Sequence, residues 1–251
     1  MPGVNLEIEA VCDRGCVREN NEDMVLVGTI TIRDGSQSLT KDVGSTDVLL
    51  CAVADGMGGQ NAGEVASQAV IEKFSAAMYS LSASVDEIQL HEELTSIATN
   101  IHRDLIRNGL ENGALKGMGS TLTGVLFHGG NQYSLHAGDS RLYRFRRGYL
   151  MQLTKDHSLR EMSNDVNAPK NVIVNSFGGG EKFFIEISKI SVQSGDIYLL
   201  CSDGLHDMIT DDDIESIINQ WKGKCSQWLI EEAKRRGGKD NISVVCMSLR
   251  E

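Results

Sequence analysis

Apolar residues along this chain alternate with polar ones, or run unbroken for a few positions between turn residues, again and again. They predict strands near residues 5–12, 23–32, 47–54, 119–128, 131–138, 140–147, 183–190, 196–202 and 241–249. Two long stretches follow another period. Residues 62–81, and 86 to about 108, where Leu90, Leu94, Ile97, Ile101 and Leu105 recur at helical spacing, predict amphipathic helices with core-facing stripes. Further on, Thr210 reads as an N-cap, Asp211, Asp212 and Asp213 favour the positive helix end, and Ile214, Ile217 and Ile218 give a buried face. A last helix is expected over 225–236, with Lys234, Arg235 and Arg236 near its C-terminus and Gly237 and Gly238 ending it. Strands before, between and after paired helices imply packed sheets flanked by helices. Two segments lack a period: 33–46, read as a polar hairpin-like connection, and 154–180, polar and glycine-rich at its end. Loops of that length often carry function.

The chain has 251 residues and no Pro/Gly/Ser-rich linker, so a single domain over 1–251 is expected. Its 41% hydrophobic and 24% charged residues suffice for a sizeable core. A net charge of −11 argues against nucleic acid or an anionic membrane as partner, since both need a basic stripe. The basic cluster Arg144, Arg146 and Arg147 reads as a solvated strand end. The longest apolar run, Val48 to Ala54, is too short to span a bilayer, and no leader pattern is evident, so a soluble, cytoplasmic monomer is expected. Cys51, Cys201 and Cys246 sit in apolar runs and act as small hydrophobes, while Cys12 and Cys16 lack the second ligand pair of a zinc site. Reduced thiols agree with a cytosolic setting.

The chemistry lies in the acids. Asn21-Glu22-Asp23, Asp55-Gly56-Met57-Gly58-Gly59, Gly138-Asp139-Ser140, Ser202-Asp203-Gly204 and Lys239-Asp240-Asn241 each place a carboxylate at the end of an apolar strand, beside a turn residue. Taken singly, such dipeptides are common turns. Repeated at strand ends, they imply convergence on one edge of a sheet sandwich, where the charges repel unless a divalent cation neutralises them. Oxygen ligands without histidine or thiolate favour magnesium or manganese. Two such ions ~4 Å apart can activate a water toward phosphorus. Phosphate-monoester hydrolysis needs that help, since enzymes accelerate it by up to roughly 10²¹.

The ordered set Arg18-Glu19-Asn20-Asn21-Glu22-Asp23, the Asp55 motif, Gly138-Asp139-Ser140-Arg141, Ser202-Asp203-Gly204-Leu205 and Asp240-Asn241 resembles the PPM family of type-2C protein phosphatases, in its bacterial branch, across essentially the whole chain. The resemblance implies an α+β fold, a four-layer αββα sandwich of two antiparallel sheets with a metal centre at one end. It implies hydrolysis of phosphoserine and phosphothreonine in proteins, the targets of a Ser/Thr kinase, by a water bridging two Mn²⁺ or Mg²⁺ ions. Asp55 would bridge the ions, Asp203 and Asp240 would complete one, and Glu22 with the Gly56 carbonyl would serve the other. Asp23 would orient the water, Asp139 with Asp203 would hold a third, weaker ion, and Arg18 would bind the substrate phosphate. Asp23, Asp55, Asp203 and Asp240 are thus the expected catalytic residues. Residues 154–180 would form a flap, shorter than in many bacterial relatives. Met57 stands where many eukaryotic members carry a histidine proposed as general acid, and His157 is read as structural.

Two rival readings fail on the sequence itself. A phosphoprotein-binding module without catalysis would have lost metal ligands, yet none of the matched acids is replaced. A nucleotide site on Gly56 to Gly59 would need a following Lys-Ser/Thr, which is absent.

Overall fold

The computed structural model describes residues 4–59, 62–163, 165, 167–169 and 171–250. Thirteen strands are formed among them: β1 Val4–Asp13, β2 Asp23–Val27, β3 Ile30–Ile32, β4 Gly35–Val43, β5 Val48–Met57, β6 Gly119–Ser120, β7 Leu122–His128, β8 Asn131–Ala137, β9 Arg141–Arg146, β10 Tyr149–Gln152, β11 Glu186–Ile190, β12 Ile197–Cys201 and β13 Ile242–Arg250. The helices are α1 Ala62–Ser80, α2 Glu87–Glu111, α3 Leu159–Ser163, α4 Asp203–His206, α5 Asp211–Trp221 and α6 Ser226–Arg235.

The strands form two antiparallel sheets. One runs β10-β9-β12-β13-β1-β4, and the other runs β11-β8-β7-β5-β2-β3 with β6 paired to the end of β5. Strand periodicity decides which residue enters which layer. Along β5, Leu49, Cys51 and Val53 join Leu6, Ile8, Val25, Leu200, Val245 and Met247 between the sheets. The alternate residues Leu50, Ala52 and Ala54 pack under Val70, Phe74, Leu90, Leu94 and Ile101 of α1 and α2. Beyond the other sheet, Leu199, Val244 and Cys246 meet Ile214, Ile218, Leu229 and Ile230 of α5 and α6. Burial on both faces is why the central strands read as unbroken apolar runs. The expected four-layer αββα sandwich is therefore the observed one.

Helix ends follow their capping chemistry. Asp86 caps α2 by accepting from the Gln89 amide at 2.9 Å. Thr210 and Asp213 close a reciprocal capping box on α5, so that acid serves the helix end as expected. No helix among the described residues is long and apolar enough to cross a membrane.

The strand expectations need four corrections. Residues 33–46 are not a connection but mostly β4, paired with β1 from Val4↔Val43 to Cys12↔Gly35. An edge strand wets both faces, so its sequence carries no apolar alternation. The span 23–32 is two strands broken at Gly28, whose φ of 64° turns the chain back. A further strand, β10, follows a turn with Arg147 and Gly148 both at positive φ. The strand expected over 183–190 is only Glu186–Ile190.

Leu200 lies fully buried between the sheets. Leu200→Ala should cost about 3 kcal/mol through lost transfer energy and a residual cavity, measured as a lower midpoint in chemical denaturation.

Candidate metal centre

Following the inward-facing file of each strand to one end of the sandwich, carbon gives way to oxygen. Val27 and Val25 lead to Asp23, Cys51 and Val53 lead to Asp55, Leu200 leads to Ser202, and Met247 and Val245 lead to Ser243. Antiparallel pairing sets Asp23 directly opposite Asp55. Asp203 opens α4 just past β12, Asp240 immediately precedes the β13 arm, and Asp139 sits in the turn between β8 and β9. All the strand-end acids singled out in the sequence thus come to the same end of the molecule.

The most enclosed of them is Asp23, which is 1% exposed. Its Oδ2 accepts from the hydroxyls of Ser202 and Ser243, both at 2.7 Å, and these two serines belong to the opposite sheet. Ser202 Oγ in turn accepts from the Ser243 amide at 3.0 Å. Asp55 is fixed through its backbone, its amide donating to Thr121 Oγ1 at 3.0 Å and its carbonyl accepting from the Thr121 amide at 2.9 Å. Asn241 accepts from the Glu22 amide at 2.8 Å and donates to the carbonyls of Arg14 and Asn20. Arg33 reaches the Asn21 carbonyl and the Glu64 carboxylate, tying the same loop to α1. None of Ser202, Ser243, Thr121 or Arg33 was assigned a role from sequence. For the three hydroxyl residues the available signal was their place in, or directly beside, the inward register of an otherwise apolar strand; Arg33 offered none.

Close backbone approach completes the frame. A Cβ on Gly56 would lie 2.0 Å from the Gly63 carbonyl oxygen, and one on Gly204 would lie 1.9 Å from that of Asn241. Only glycine fits after Asp55 and after Asp203.

Charge is the outstanding problem of the site. Burial pushes the Asp23 carboxyl up to about 7, with Asp203 and Asp240 adding to the rise against the two serine donors. Asp139 is likewise raised to about 7, by burial and then by Asp203. Asp55 is held well above the usual carboxylate range by removal from water and then by Asp23, Asp203, Asp139 and Asp240. Burial also raises Glu22, which Arg18 partly offsets. Arg18 donates to Asp240 Oδ2 at 2.6 Å, with both side chains substantially exposed. In this arrangement no three carboxylate or imidazole groups among the described residues close on one point at ligating distance. Asp240 is turned onto Arg18 and Asp23 onto its serines. Two acceptors stay unmatched, however: Asp139 Oδ1 and Asp203 Oδ1 are buried without a hydrogen-bond partner among the described residues. Orphaned buried oxygens in an all-oxygen, mutually repelling set fit a hard divalent cation.

Of the stretch 154–180, residues 164, 166 and 170 lie outside the described residues; the described part includes α3 and is tied at its base. The Leu159 amide donates to the Val172 carbonyl at 2.7 Å and the Val174 amide to His157 at 2.8 Å. His157 is 1% exposed, its Nδ1 engaged by the Gly138 amide and by Asn175, between the rings of His136 and Phe184. Its ring is packed into the base of the loop, with Nε2 3.3 Å from Glu186 Oε1. Phe177 is fully buried against Phe74 and bridges to Ser120, which anchors the far end of the loop. Beside the acids, Asp203, Gly204, Asp207, Met208, Lys239 and Asp240 line a cleft of about 270 Å³.

Comparison with known proteins agrees with this frame. The sequence profile of the family Protein phosphatase 2C matches residues 33–234, and the chain belongs to that family. That match starts after Glu22 and Asp23 and stops before Asp240, so it does not bear on those three positions. Serine/threonine protein phosphatase PstP of Mycobacterium tuberculosis is 34% identical over 250 residues, covering 96% of this chain and 44% of PstP. The chain thus spans less than half the length of that relative. Serine/threonine phosphatase stp of Listeria monocytogenes is 30% identical over 245 residues, 93% of this chain and 92% of stp. Among solved structures, the S. agalactiae serine/threonine phosphatase superposes with a TM-score of 0.84 at 27% identity, covering 98% of this chain and all of that one. The PstP catalytic domain in complex with two manganese ions gives 0.78 at 34% identity, covering 99% of this chain and all of that one.

The raised carboxyls set a pH dependence for the metal-free protein. Asp23 and Asp139 bind their protons more tightly folded, near 7, than unfolded, at about 3.9. Their contribution is therefore most favourable below pH 4 and is lost as pH rises through 7. In EDTA, thermal unfolding should come at a lower temperature at pH 8 than at pH 5.5, and added Mn²⁺ should raise the pH 8 value more.

Proposed function

We propose that this chain is a metal-dependent phosphatase that hydrolyses phosphoserine and phosphothreonine in proteins. The observation that carries the reading is the set of strand-end carboxylates gathered at one end of the sandwich, two of them with oxygens that no protein donor satisfies. The PstP domain with its two manganese ions supports it. Asp55, Asp203 and Asp240 would hold the core ions, with Glu22 and the Gly56 carbonyl serving one of them and Asp139 with Asp203 a third, weaker one. Mn²⁺ or Mg²⁺ supplies charge neutralisation and an activated water when bound.

The residues divide the remaining work. With Oδ2 occupied by Ser202 and Ser243, Asp23 has one oxygen left to orient the attacking water and take its proton. Arg18 offers a planar fork to the phosphate dianion. Its present partner is Asp240, so the substrate and Asp240 are alternative acceptors for one guanidinium. An Asp240 that held a cation would have less charge to share with Arg18, leaving the guanidinium available to the phosphate. Position 57 is methionine and His157 is sealed inside, so the leaving serine or threonine takes its proton from water in the site. Residues 154–180 would act as the flap that meets the residues flanking the phosphate.

The direct test is phosphate release from a panel of phosphopeptides with Mn²⁺, with EDTA as control. Release should depend on the metal, and Asp55→Asn should bring it to background. Near-normal release by that variant would reject the site. Arg18→Ala removes a charge-assisted contact and should raise KM roughly ten- to a hundredfold, with kcat changed less. Unaltered KM in a folded variant would leave Arg18 with no part in binding phosphate.

A further inference from the structure

Asp139 and Asp203 come from separate parts of the chain, a β8–β9 turn and the start of α4, and something must set the gap between them. The turn is held on one side by the His157 amide, which donates to the Gly138 carbonyl at 2.8 Å, and on another by Ser140 Oγ, 2.8 Å from Thr121 Oγ1. Neither bond reaches the helix that carries Asp203. His206 does. It closes α4 three residues after Asp203, and its Nε2 lies 3.2 Å from the Asp139 carbonyl oxygen. A carbonyl can only accept, so this nitrogen carries the proton and donates. The side chain is 5% exposed, which makes it a strut within the protein rather than a surface group. Its Nδ1 has no hydrogen-bond partner among the described residues and lies 3.6 Å from Asp207 Oδ1.

We propose that His206 is a positioning residue for the third ion: its Nε2–H bond to the Asp139 carbonyl fixes the separation of the Asp139 and Asp203 carboxylates. The inference rests on the metal reading given above and adds a residue to it. The weaker site has few protein ligands, so its affinity depends steeply on where those two stand. Asp139 Oδ1 and Asp203 Oδ1, both buried and unpartnered, are the atoms whose spacing the strut controls. The core ions would use Asp203 too, but they have Asp55 and Asp240 besides, whereas the His206 bond is made to the Asp139 turn, whose carboxylate only the third ion would use.

Mn²⁺ binding itself, followed by calorimetry on the intact chain, tests this without reference to turnover. His206→Ala should weaken the weakest class of Mn²⁺ sites by roughly ten- to a hundredfold, the usual effect of losing a group that orients a ligand, and leave the tight class unchanged. His206→Gln places an amide nitrogen close to the position of Nε2 and should restore most of the affinity. His206→Asn, one methylene shorter, should not. With an aryl phosphate, kcat at a fixed low Mn²⁺ concentration should fall in the Ala and Asn variants while KM holds. Equal binding by the unaltered chain and His206→Ala overturns this inference alone. So does loss of tight and weak ions together, or rescue by Asn as good as by Gln. Should His206→Ala fail to fold, the Gln and Asn pair decides the matter by the same criteria. No Mn²⁺ binding by the unaltered chain would overturn the metal reading and this inference with it.

Discussion

Like charges crowded at the end of a low-dielectric sandwich are the constraint around which the rest of this molecule is arranged. Each acid at this end raises its neighbours' affinity for protons, and Asp55 feels four others. Such a set is tolerable only if it is protonated or shares a cation. Placing it at the sheet ends keeps the apolar files behind it intact, so the fold tolerates an unfavourable cluster without breaking its core. The glycines after Asp55 and Asp203 belong to the same arrangement, since they let the backbone close tightly enough to bring the acids together.

Around the acids lies a shell of hydroxyls and amides whose partners cross from one element to another. Ser202 and Ser243 reach from one sheet to Asp23 on the other, Thr121 clasps the backbone of Asp55, and Asn241 spans three segments of the Arg14 to Glu22 loop. These contacts join protein groups to protein groups, so the frame's hydrogen bonds are all made within the chain. Arg18 is the exception. It rests on Asp240 with both side chains substantially exposed, outside the buried shell.

Much of this was legible in the sequence because burial on both faces leaves a strong mark. The unbroken run at Val48 to Ala54 and the helical stripe from Leu90 to Leu105 could hardly have been placed elsewhere. The acids were legible for a related reason: each interrupts such a run at its end. Where burial is weak the signal fades. β4 lies at a wet edge and its polar residues read as a loop, while β10 is four residues after a tight turn. The serines around Asp23 were harder still, because a hydroxyl in a strand is unremarkable until the strand's register and its neighbour across the sandwich are both known. His206 was invisible for the same reason, its partner being a main-chain carbonyl 67 residues away.

The serine pair on Asp23 has one more consequence. A carboxylate carried by one sheet and gripped by hydroxyls from the other makes the mouth of the site a gauge of the gap between the sheets. Any load that shears or parts the two layers, whether hydrostatic pressure, a core mutation far down the sandwich or a pull on the termini of β1 and β13, is transmitted along stiff inward files to that grip. The strength of that grip then becomes a readout of mechanical fit along the sandwich.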